Sequence, residues 1–191
     1  MKKYIKNRYI IGNIFLLIMY LVFLHIAKIV PFGDNTILKC DLYQQYANFF
    51  CYLKEILING KSILLSWNLG LANNFYTTFT YYLANPLNLL VIFFNKENMY
   101  IFIEILTFIK LILIFNSMLL YLSKVWNYKK IDSIIFALCY TFSSYAMSYL
   151  FHIMWIDALY ILPIVLIFIE KYIKRWKVVS DNAISCIYIS S

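Results

Sequence analysis

Residues 10–30 read IIGNIFLLIMYLVFLHIAKIV, and residues 31–46 continue as PFGDNTILKCDLYQQY. The first run reaches the ~20 apolar residues that a helix needs to cross the hydrocarbon of a bilayer. It delivers the chain into a polar loop bearing Asp34 and Asp41. That order predicts an all-α integral membrane protein with its chemistry gathered beyond the end of the first helix.

The rest of the chain agrees with this class. Hydrophobic residues make up 63% of the sequence and charged residues only 14%, too few to cover the surface of a soluble domain. The net charge of +8 sits in short lysine blocks between apolar runs, where it sets topology and meets anionic headgroups. Membrane lipids are therefore the expected partners and nucleic acid is not. The N-terminal apolar run is too long for a signal peptide, and no small-x-small cleavage site follows it, so it reads as an uncleaved anchor. Cys40, Cys51, Cys139 and Cys186 form no CxxC pair. Cys40 and Cys51 share a loop, where they either pair or remain idle thiols.

Five segments are apolar: 10–30, 75–94, 99–123, 132–150 and 153–170. If all five crossed, the blocks at 124–130 and 171–177 would both lie outside, against the positive-inside tendency. Segment 75–94 carries Asn85-Pro86 at its centre, which breaks a helix, and its first half is rich in Tyr and Thr. Placed along or dipping into the outer interface, it leaves four spans, a cytoplasmic N-terminus and a long outer loop, 31–98. Within that loop, Leu42, Tyr46, Phe49, Phe50, Leu53 and Leu57 fall on one helical face, which predicts an amphipathic helix on the membrane that Asn59-Gly60 ends. Asp132 is placed to cap the third span, Ser143, Ser144, Ala146 and Ser148 to let it pack closely, and Pro163 to kink the fourth. Residues 178–191 lose the apolar pattern and read as an atypical tail, too short to cross, as if a longer protein had been cut short.

Few residues offer chemistry. Asp41, three residues before Gln44, reads either as the cap of a capping box or as a general base or cation ligand. Asp157 sits about one turn into the last span, where a carboxylate needs water or a partner. His152 beside it reads as structural or as site-lining. Lys110 lies too deep in its span to snorkel easily, so it faces a cavity, a lipid phosphate or a carboxylate such as Asp157. Trp67, Asn68, Asn73 and Asn74 form either an ordinary interfacial turn or a surface that stacks on and hydrogen-bonds a sugar. No P-loop, Rossmann glycine pattern, HExxH or GxSxG occurs.

The run PFGDNTILKCDLYQQYANFFCYLKEILINGKSILLSWNLGLANNFYTTFTYYLANPLNLL, 31–90, resembles the start of the bacterial YfhO family of membrane proteins. HIMWIDALYILPIVLIFIEKYI, 152–173, resembles the same family further along. YfhO proteins are similar to the GT-C glycosyltransferases, multi-span bundles that transfer sugar from a polyprenyl-phosphate donor outside the membrane. In Gram-positive bacteria the family is implicated in decorating lipoteichoic acid. The resemblance implies a GT-C-like bundle over residues 1–177, in the bacterial cell membrane, with Asp41 and Asp157 as the first-loop and second-loop catalytic acids. It implies that 75–94 is juxtamembrane and that further helices of a full-length protein complete the lipid site.

On that basis Asp41 is expected to act as general base, with Asp34, Gln44, Trp67, Asn68, Lys110 and His152 lining the substrates. Lys110, or a cation from elsewhere, would stabilise the departing polyprenyl phosphate. A divalent cation is compatible with the wider fold, although the sequence offers no convincing ligand set. The acceptor would be a teichoic-acid-like polymer. The rival expectations are a non-enzymatic membrane transport, assembly or interaction protein and an inactive truncated product.

Overall fold

The computed structural model describes residues 2–64, 66, 74–126 and 128–189, with side chains described within 7–176. Seven α-helices account for most of it: α1 Lys2–Ile26, α2 Ala47–Asn59, α3 Phe75–Thr78, α4 Met99–Lys124, α5 Lys130–Thr141, α6 Ser144–Ser148 and α7 Ile153–Ile189. Three segments are long and apolar enough to cross a membrane: Asn7–Ile26, Lys96–Lys124 and Ile153–Trp176. Among the described residues β pairing is confined to isolated bridges, one of them between Ile29 and Asn35. The chain is an all-α membrane protein.

Helices α1 and α4 run antiparallel. Asn13 and Asn116 exchange amide hydrogen bonds of 3.0 and 3.1 Å, and further along Tyr20 stacks on Phe108 with ring centroids 4.7 Å apart. An amide pair of this kind satisfies both polar side chains where lipid offers no partner. Gly12 permits the approach, because a Cβ there would fall 2.4 Å from Cζ of Phe115. A small inner core around Leu16, Phe115, Leu119 and Ile134 fills this region. Arg8, Lys124, Lys129 and Lys130 gather where α1 begins and α4 ends, and this is the basic end of the bundle.

Segment 132–150, expected as one span, is divided. Helix α5 has 12 residues, about 18 Å of rise against the ~30 Å of hydrocarbon. The chain turns at Phe142-Ser143, and the Ser143 hydroxyl accepts from the Ala146 N–H, which starts α6 afresh. The serine that promised close helix packing thus competes with the helix for backbone groups. Asp132 is also not the cap expected of it. Lys129 holds that position, while Asp132 lies in the first turn, where its charge still complements the helix dipole. Helix α7 carries Pro163 within it and continues to Ile189. Neither glycine nor proline follows Pro163 to stop it.

At the opposite end, the loop end, residues 27–98 fold onto α4. A π turn, Leu42–Tyr46, leads into α2, which stops at Gly60 with φ +63°, the left-handed conformation a helix C-terminus favours. The buried face holds Leu42, Tyr46, Phe50 and Leu53 as its spacing predicts, but Leu57 is exposed. Protein rather than lipid covers that face: Phe50 packs edge-on to Phe102 of α4 at 5.0 Å, and Tyr52 to Phe75 at 4.6 Å. Residues 75–94 make no long helix. They break into α3, a π turn Phe79–Leu83 and a 3-10 turn Pro86–Phe93. The Asn74 and Asn85 side chains each accept a backbone N–H at 2.9 Å to start the first and last of these. The larger apolar core lies under this end and joins α1, α2, α4 and the start of α7.

Candidate functional site

Cys40 adopts φ +48°, a left-handed conformation that a side chain resists, immediately before Asp41. Asp41 is itself already helical, with φ −65° and ψ −27°, and its side chain makes no cap hydrogen bond. The capping-box reading is therefore wrong, since a cap residue needs extended backbone to turn its oxygen toward the helix. The carboxylate instead faces the turn before α7, where Oδ2 lies 3.2 Å from Nδ1 of His152. His152 stacks on Trp155 at 4.4 Å. The loop that follows α1 and the turn that precedes α7 meet through this pair.

Asp157 is held more tightly. Its Oδ1 lies 2.7 Å from Nζ of Lys110, and its Oδ2 accepts from Nδ2 of Asn85 at 2.7 Å. Lys110 also donates to the Ile153 carbonyl at 2.9 Å. Asn85 contacts the Tyr160 hydroxyl at 2.8 Å, so the apex of segment 75–94 touches α7 twice. Of the partners open to Lys110, the structure selects Asp157. With Lys110 only 1% exposed, its ammonium is closed off from a lipid phosphate.

Tyr46 lies between the two clusters. The π turn places it fully inside, and its hydroxyl has no hydrogen-bond partner of ordinary geometry. Burial is the largest influence holding its phenol well above the usual tyrosine range. Tyr82, Asp41 and Asp157 add to this, while the Met154 backbone opposes it. The ring packs edge-on to Tyr82 at 5.5 Å. A single-turn π element is a recurrent mark of functional sites, because it realigns the side chains on one helix face.

The other expected site residues lie apart from these clusters. Asp34 stays exposed in the turn closed by the Ile29–Asn35 bridge. Gln44 lines a different cleft of about 550 Å³, together with Tyr43, Asn48, Lys96 and Tyr100. Glu55, near that cleft, pairs with Lys61 and Lys96. Hydrogen bonds from Lys61 first, and then Lys96, hold its carboxyl below the usual range. Trp67, Asn68 and Asn73 lie outside the described residues. Cys40 and Cys51 are free thiols. Among the described residues no three metal-ligating side chains converge.

Sequence reasoning missed Asn85 and Tyr46 as site residues. Asn85 had a signal, since an amide at the midpoint of an apolar segment needs a partner once buried. Tyr46 had none, because it matches the apolar face of an ordinary amphipathic helix.

These features define a multi-span helical membrane protein whose loop end brings two separate carboxylates to one face of the last span. The chain belongs to the YfhO family: the model for the bacterial membrane protein YfhO matches residues 13–180. No curated protein and no solved structure matches it.

Proposed function

We propose that this chain carries the acid-bearing front of a glycosyltransferase that works at the outer face of the bacterial cell membrane. The donor is a polyprenyl-phosphate sugar, and the acceptor is lipoteichoic acid or a related envelope polymer. The N-terminus and the basic end face the cytoplasm, as the lysine and arginine distribution favours. The observation that carries the reading is the position of Asp41, partly exposed and 3.2 Å from Nδ1 of His152 on another part of the chain.

In this mechanism Asp41 takes the proton from an acceptor hydroxyl as its oxygen bonds to the anomeric carbon. The bond from that carbon to the phosphate oxygen breaks, and polyprenyl phosphate leaves with the electron pair. The configuration inverts. A general base needs hydrogen-bond reach to the proton it removes, and Asp41 has the exposure to offer it. His152 stands beside the carboxylate. Asp157, saturated by Lys110 and Asn85, positions the turn that carries His152 and does not touch the reacting atoms. Lys110 serves Asp157 and leaves the phosphate to other cations.

A second reading, a non-enzymatic membrane assembly or interaction protein, is favoured by that same saturation, because a clasp of paired charges suits a structural role. Replacing Asp41 by Asn separates the two. The transferase reading expects sugar transfer to the envelope polymer to fall by at least the 10²-fold that general-base catalysis typically supplies, at unchanged membrane abundance. Retained glycosylation in Asp41→Asn would refute it.

A further inference from the structure

We infer that the groove between α1 and α5 is a binding site for an anionic glycerophospholipid, with its phosphate held by Arg8 and Lys130. The groove has a volume of about 520 Å³ and lies between Ile11 and Phe15 on α1 and Ile131, Ile135 and Leu138 on α5, with the apolar stem of Lys130 completing its lining. Phe15, Ile131 and Ile135 are each more than half exposed on the protein surface, so the groove opens toward lipid.

The charge lies at one end. Arg8, Ile11 and Phe15 follow at i, i+3 and i+7, so Arg8 continues the groove-lining face of α1 toward the basic end. Its Nη2 reaches the Tyr128 carbonyl at 3.4 Å, which brings it beside the start of α5. The Arg8 Nε is buried without a partner. Trp126 and Tyr128 stack with centroids 6.5 Å apart at the same end, as aromatic residues do at headgroup level. Asp132 is the carboxylate nearest in sequence, and among the described residues it forms no ion pair with Arg8, Lys129 or Lys130.

An apolar trough with unpaired cations at one end fits an amphiphile with an anionic head. Basic pockets between membrane helices recognise anionic lipids in this manner. A neutral, purely apolar occupant would leave the guanidinium without a counter-charge. The site stands apart from the loop end and does not depend on the proposed transferase activity.

The test is native mass spectrometry of the full chain released from nanodiscs of equal phosphatidylglycerol and phosphatidylcholine. The wild type is expected to retain phosphatidylglycerol preferentially. Arg8→Gln and Lys130→Gln should each lower the retained ratio about fivefold, the effect of one surface cation on an anionic lipid. Ile135→Trp fills the groove from an exposed position and should remove the bound lipid while leaving the thermal midpoint in place. Equal retention of the two lipids by the wild type would overturn the inference. So would an unchanged ratio in both charge variants, undiminished lipid in Ile135→Trp, or displacement of phosphatidylglycerol by an equal amount of undecaprenyl phosphate.

Discussion

Nζ of Lys110 and Oδ1 of Asp157 sit 2.7 Å apart, with the lysine sealed from solvent and the aspartate 17% exposed. A buried pair of this kind adds little net stability over an apolar substitute, but breaking it strands a charge. Lys110→Ala is therefore expected to destabilise the protein by about 3–5 kcal/mol. Asp157→Asn retains an acceptor for Asn85 and should have a smaller effect. The double variant Lys110→Ala, Asp157→Asn should be more stable than the sum of the singles, as coupled neighbours are. Thermal midpoints of the four proteins in one detergent close the cycle, and additive losses would show that the two groups act independently.

The partner of Lys110 was partly legible in the sequence. A cation deep in a span calls for a carboxylate, and Asp157 is one of few available. That Asn85 joins them was not legible, because no local pattern reports how far segment 75–94 reaches toward α7. Its Asn-Pro pair announces a break in the helix, and Asn85 does cap the turn that follows. The sequence carries that local event and not the contact across space.

Two of the misreadings have physical causes of the same kind. Residues 132–150 pass a hydropathy window, which sums side chains and does not register that Ser143 can take a backbone N–H and restart the helix. Asp41 and Gln44 have capping-box spacing, but the left-handed Cys40 turns the chain one residue early and places Asp41 inside the helix. The π turn after it uses residues that suit an α-helix equally well. Propensity fixes where a helix forms, whereas these offsets of a single residue decide which side chains meet.

Glu55 carries a pH dependence with a definite sign. Lys61 and Lys96 lower its pKa in the folded protein from an ordinary value of 4.5. In that interval the unfolded chain binds more protons than the folded one, so stability rises with pH. The contribution of Glu55 is fully present above the ordinary value and disappears as pH falls through the depressed one. Glu55→Gln should lower the thermal midpoint at pH 7, modestly because both lysines remain solvated, and should converge on the wild type in acid, which flattens the acid limb of a plot of thermal midpoint against pH. An acid limb as steep as in the wild type would assign the slope to other carboxylates.

Tyr46 presents the opposite case, a buried polar group with nothing to bond. Leaving a buried hydroxyl unsatisfied costs about 1–3 kcal/mol, so a phenylalanine of the same shape should be tolerated or preferred. Tyr46→Phe is accordingly expected to keep or raise the thermal midpoint. Such a group persists in native cores chiefly where it serves a purpose beyond packing. On the transferase reading its hydroxyl lies in the neighbourhood of the proposed base, as the influence of Asp41 and Asp157 on the phenol records. On that reading Tyr46→Phe should lower sugar transfer about tenfold at unchanged membrane abundance. A stabilised protein with full transfer would leave Tyr46 as packing alone. A destabilised one would mean that the hydroxyl is satisfied through the Met154 backbone after all, and that the join between α2 and α7 rests on it.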